Sequence, residues 1–276
     1  LHAPPLRIDS GTHRLVITLS SAQLDAWLGL FVFPLTRILG LLAAAPVFNN
    51  AALPMRVRLV MGLAITLALS PALPSPPPLA PGSWLGLLVI AEQLLIGVMM
   101  GFALRIAMAA LDVTGELIGL QMGLSFATFF DPSSSGLTPV MTQFLGFLTA
   151  MIFLAMNGHL LLLSVLAESF TLLPVSLTPF HSVALSSLLN SAAMMFSLGV
   201  LLALPLITAL LVTNIALGVL ARVAPTLNLF AVGFPVTLAL GFFVLMLSLP
   251  YLGAAMEGVF NRGFEALGML LRAAAG

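Results

Sequence analysis

The chain has 276 residues, of which 61% are hydrophobic and 7% charged, with a mean hydropathy of +1.19. A water-soluble domain carries about a quarter charged residues, so much of this surface must face lipid or other apolar protein. Nine arginines balance nine acids, which leaves no electrostatic footprint for nucleic acid, and the absence of Cys excludes disulfides, thiol nucleophiles and thiolate metal sites.

In chain order, the start LHAPPLRIDSGTHRLVITLSS is polar and lacks the charged-then-apolar pattern of a signal peptide. Residues 1–16 are set apart as an N-terminal extension, and 17–276 are read as one all-α domain. Residues 27–53 are apolar but interrupted by Pro34, Arg37 and Pro46. A turn at Asn49-Asn50 and Leu53-Pro54 precedes a short helix over 59–73 that stops at Pro74. SPPPLAPGS (75–83) is a proline-rich connector. A long apolar stretch from 84 to 111 follows, holding Glu92 and Arg105.

Beyond the segment GLQMGLSFATFFDPSSSG (119–136), Thr138-Pro139 predicts an N-cap with Pro at the first helical position. That helix runs to a turn at Asn157-Gly158, and 159–173 form a return arm closed by Pro174. His159 reads as a helix-end residue and Glu168 as a paired or interfacial acid. Residues 183–221 carry no charge and should kink at Pro205; 223–228 make a further turn. Residues 229–255 are again uncharged, interrupted by Gly233 and Pro235. The last stretch is amphipathic, with Met256, Val259, Phe260, Leu267, Leu270 and Leu271 on one face and Glu257, Asn261, Arg262 and Glu265 away from it. Alternation is absent throughout, so five or six apolar helices, several paired as hairpins, are expected. Many runs are cut by Pro or Gly below the ~20 residues of a clean span, and broken backbone at membrane depth needs neighbouring protein or a water-filled cavity.

No catalytic constellation emerges: there is no His-Glu-x-x-His, no phosphate-binding loop and no Gly-x-Ser-x-Gly, and the four histidines are far apart. The informative charges are Arg105, Asp112 and Glu116. At about 100° per residue they fall within roughly 40° on one helix. Because charge in lipid is costly, this stripe is expected to face a pore or a partner. Gly97 and Gly101, and then Gly115, Gly119 and Gly123, recur at four-residue spacing. Such spacing allows close backbone approach and also weakens a helix, so Gly115 and Gly119 read as close packing or a hinge. For the Phe-rich piece that follows, the residues leave two readings open: a deformable apolar seal, or ordinary core packing.

Four stretches resemble the FliR family of flagellar export-gate proteins, called SctT in virulence systems: FPLTRILGLLAAAPVFNNAALPMRVRLVMGLAITLALSPALP, EQLLIGVMMGFALRIAMAALDVTGELIGLQMGLSFATFFDP, NGHLLLLSVLAESFTLLPV and LPLITALLVTNIALGVLARVAPTLNLFAVGFPVTLALG. The similarity runs over about 24–264, and GLQMGLSFATF before Asp-Pro favours the flagellar branch. The resemblance implies a non-enzymatic subunit, FliP-like in its first part and FliQ-like in its last. It would join FliP and FliQ, with FlhB and FlhA, in a helical gate around a channel for unfolded flagellar proteins. The place implied is the bacterial inner membrane, in contact with lipid, at the flagellar basal body; no cofactor, metal or nucleic acid is implied. By this resemblance the segment Met122, Gly123, Leu124, Ser125, Phe126, Ala127, Thr128, Phe129, Phe130, Asp131 and Pro132 would help to plug the closed pore. The rivals are a secondary transporter of a small solute using Glu92, Glu168 and the Arg105 stripe, and a non-transporting membrane scaffold.

Overall fold

A computed structural model describes residues 20–48, 53–74, 77–124, 139–176, 183–223 and 229–275. The extension 1–16, the Asn49-Asn50 turn, residues 75–76 of the connector, the segment 125–138 and the turn residues 224–228 lie outside them. Among the described residues the fold is all-α, with seven α-helices and no strand.

Helix α1 (Ser21–Ala44) opens with a capping box: the Gln23 amide donates to Ser20 Oγ, and the Ser20 amide donates to Gln23 Oε1 at 3.1 Å. It runs unbroken through Pro34 and Arg37, where interruptions were expected. Its end is set instead by Pro46, which pushes Ala45 into extended backbone (ψ 127°). Helix α2 (Met55–Leu69) closes in a 3-10 turn, Ser70–Ala72, before Pro74. Helix α3 (Trp84–Gln121) is capped by Ser83, whose Oγ accepts from the Gly86 amide at 3.1 Å. Helix α4 (Val140–Ala155) starts one residue later than Thr138-Pro139 suggested, with Pro139 itself as the N-cap. Helix α5 (Gly158–Leu172) follows at once. Between them Asn157 holds the left-handed conformation (φ 56°, ψ 31°), and the pair is bent by 66°, well short of the expected return arm. Helices α6 (Val183–Val223) and α7 (Leu229–Ala275) pass through Pro205 and through Pro235 and Pro250.

The expectation of Pro-cut pieces is therefore corrected in three places: α1, α6 and α7 pass through prolines and have 24, 41 and 47 residues. The physical reason is local. A proline removes one hydrogen bond and bends the helix, but abandoning helical backbone in apolar surroundings would leave several polar groups unsatisfied. Among the described residues five helices are long and apolar enough to cross a membrane, or six spans if the bent pair counts as one.

Helix α3 is the central rod on which α1, α4, α6 and α7 all pack. The buried side chains divide into two clusters along it. One gathers Ile38, Leu41, Met100, Leu104, Leu166, Phe170 and Leu267 around Phe153 and Phe260, whose rings lie 5.2 Å apart. The other gathers Leu111, Ile118, Met122, Met141, Leu145, Leu206, Leu245 and Met256. The amphipathic end of α7 behaves as its pattern requires: Met256, Val259, Phe260, Leu267, Leu270 and Leu271 are buried, and Glu257, Asn261, Arg262 and Glu265 are exposed.

Candidate functional site

The polar stripe of α3 lies on the outside of the subunit. Arg105, Asp112 and Glu116 are all exposed, while the opposite face of the helix buries Leu111, Thr114, Gly115 and Ile118. Arg105 and Asp112 attract one another electrostatically. No ion pair joins the three among the described residues, as their seven- and four-residue spacing suggests.

Two turns on, the helix ends in a Schellman motif. Gly123 takes φ 79°; its amide donates to the Leu120 carbonyl at 3.1 Å, and the Leu124 amide donates to the Gly119 carbonyl at 3.0 Å. Glycine is required at that left-handed position. The side chain just before it, Met122, is fully buried, and its Sδ and Cε lie over Gly241 of α7. A methyl at Gly241 would come within 2.7 Å of Met122 Cε. The first three residues of the expected plug segment are therefore a packed helix cap; the rest, Ser125 to Pro132 in the resemblance, lie outside the described residues.

The same end of α3 also holds the start of α4. A methyl at Gly115 would lie 2.7 Å from Thr142 Cα and 3.0 Å from its backbone nitrogen, so the two backbones nearly touch. At Gly119 the nearest neighbour is Met141 Cβ, at 3.4 Å. The chain leaving at Gly123 and the chain re-entering at Val140 thus spring from one packed base.

A feature with a weaker sequence signal is the buried Arg37. Its side chain is fully shielded from solvent, yet it is hydrogen-bonded on every side. Nε donates to Gln93 Oε1 of α3 at 2.8 Å. One terminal nitrogen donates to the Ser169 carbonyl at 2.8 Å and to Ser169 Oγ at 3.2 Å, and the other donates to the Leu173 carbonyl at 2.8 Å. The guanidinium carbon sits 4.2 Å from the Phe170 ring centre. The backbones meet nearby too, because a side chain at Gly97 would run into the Arg37 carbonyl and one at Gly101 would lie 2.8 Å from the Leu41 carbonyl. The use of Arg alone as the basic residue hinted at packed cations, but nothing in the pattern named the acceptors, which lie 56 and 132 or more residues away.

Glu168 is exposed at the rim of a cleft of about 650 Å³ between α5 and α7, bordered also by Leu172, Asn261, Glu265 and Arg272. Glu92 is half-buried on α3, close enough for its charge to act on Arg37. His159 is the second residue of α5, half-buried, with Nδ1 lacking a hydrogen-bond partner among the described residues. Among the described residues, the cleft that Glu168 borders is lined by neither Glu92 nor Arg105, the other two groups a small-solute transporter would need.

Comparison with known proteins agrees over nearly the full length. Residues 28–263 match the family model described as bacterial export proteins, family 1. The flagellar biosynthetic protein FliR of Pectobacterium carotovorum subsp. carotovorum is 43% identical over 259 residues, 93% of this chain and 98% of that protein. FliR of Escherichia coli (strain K12) is 40% identical over 252 residues, covering 91% and 96%. FliR of Aquifex aeolicus (strain VF5) is 34% identical over 233 residues, covering 83% and 88%.

Proposed function

Because the chain belongs to the FliR family of bacterial export proteins, a membrane-embedded component of the flagellar export apparatus, we propose that it is a structural subunit of the export gate. It joins FliP and FliQ, with FlhB and FlhA beside them, around a channel for unfolded flagellar proteins in the inner membrane. The segment beginning at Met122 helps to close that channel, and the stripe Arg105, Asp112 and Glu116 faces the aqueous path or a neighbouring subunit.

The observation that carries this reading is the packed base of the central segment. A plug must yield to an arriving polypeptide without disturbing the subunit that bears it. The Schellman cap at Gly123, Met122 seated on Gly241 and the Gly115–Thr142 approach fix both ends of the segment to buried packing. What lies between is rich in Phe and Ser and free of Lys or Arg, the chemistry of an apolar seal without ionic locks. The stripe supports the reading as well, since three charges on the outside of an apolar rod need water or polar neighbours.

Deleting 124–130 in the full chain, co-expressed with FliP-like and FliQ-like partners, is expected to leave the complex intact and to raise ion leakage across the membrane. Unchanged conductance in a fully assembled complex would overturn the plug assignment.

A further inference from the structure

The bent pair α4–α5 bridges the two buried clusters. Met141 and Leu145, near the start of α4, belong to the cluster around Met122 and Leu206. Leu162, Leu166 and Phe170 of α5 belong to the cluster around Leu41 and Phe260, which also takes in Phe153 at the end of α4. The join between them is the left-handed Asn157.

The two outer ends of the pair are satisfied very unequally. At the start of α4 the N-cap is Pro139, which makes no side-chain cap, and the buried Thr142 hydroxyl finds no hydrogen-bond partner among the described residues. At the end of α5 the last carbonyls would ordinarily be covered by a glycine cap or water. Neither a glycine nor a left-handed residue stands there: Leu173 has φ −124° and precedes Pro174. The guanidinium of Arg37 reaches that end from another helix: it donates to the Leu173 carbonyl and shares the Ser169 carbonyl with the Leu173 amide, through charge-assisted bonds. Glu168 and Leu172, the neighbours of those two residues, form the α5 wall of the cleft facing Asn261, Glu265 and Arg272.

We propose that Arg37 is a latch that ties the end of α5 to α1 and holds it on the α1–α3 crossing. Arg37 is thus a positioning residue: it sets α5, and with it the α5 wall of the cleft, independently of what happens at the start of α4. The proposal rests on these contacts alone and stands or falls separately from the plug assignment.

Amide hydrogen exchange on the full-length chain in detergent tests it. Arg37→Met keeps an apolar stem but removes every donor. It should accelerate exchange over 166–173 about tenfold or more and leave 141–149 unchanged. Arg37→Lys keeps the charge but not the fork, and should accelerate the same segment by a smaller factor; it decides the matter if the Met variant does not fold. Unaltered exchange over 166–173 in both variants overturns the proposal. So does acceleration of both segments together in the Lys variant, which would make Arg37 a support of the whole fold and not of α5 alone.

Discussion

Gly115 and Gly119 lie one turn apart on the same face of α3, yet they meet different neighbours. Gly115 abuts the Thr142 backbone, which cannot give way without moving α4, whereas Gly119 has only Met141 Cβ before it, at 3.4 Å. Gly115→Ala should therefore lower stability by about 1–3 kcal/mol through overpacking. Gly119→Ala should be near neutral, or stabilising by up to ~1 kcal/mol through helix propensity. Thermal unfolding of the two variants in one detergent reads the difference; equal shifts would mean that α3 and α4 are not in backbone contact at Gly115. Spacing alone could not separate these two glycines, because a four-residue repeat specifies a face and not what stands opposite it. The same limit hid the role of Arg37. An arginine in an apolar run announces a partner, but its acceptors are a glutamine side chain and two helix-end carbonyls that tertiary packing brings together.

Among the elements, the junction of α4 and α5 was legible in outline and wrong in angle. Asn157-Gly158 marks a break, and the break is there; a left-handed asparagine followed directly by a new helix turns the chain by 66° and does not reverse it. Asn tolerates that conformation, Gly adopts it freely, and a β-branched residue does not. Asn157→Val is expected to cost about 1–2 kcal/mol, with Asn157→Gly close to the original, as read by thermal unfolding. A tolerant Val would mean that the junction is not left-handed. The long helices were the other misreading. Pro34, Pro205, Pro235 and Pro250 all sit inside continuous helices, and only where Pro46, Pro74 and Pro174 coincide with an extended or irregular preceding residue does the helix stop. A proline ends a helix only when the residues before it have somewhere else to go.

Across the whole molecule, composition was the strongest guide. A chain this apolar cannot close upon itself, and it does not: Val212, Ile215 and Val219 of α6 and Phe243, Met246 and Leu247 of α7 each leave more than half of their surface uncovered. So large an apolar area calls for lipid or protein neighbours. Expressed alone, the chain is expected to be recovered in low yield and to aggregate when detergent is lowered; with FliP-like and FliQ-like partners it should co-purify as a stable complex. A monodisperse, stable single chain would show that lipid alone suffices. The division of the interior into two clusters along α3 had no counterpart in the sequence, because α3, α4, α6 and α7 contribute to both and only packing assigns α1 and α5 to one of them.

The shared footing at Gly115, Met122, Gly123 and Thr142 has an evolutionary corollary. A stretch whose two ends are moored to one abutment can change in bulk without disturbing the register of the surrounding rods. Under the proposed function, selection on the calibre of what passes would act on that stretch without renegotiating the rest of the architecture.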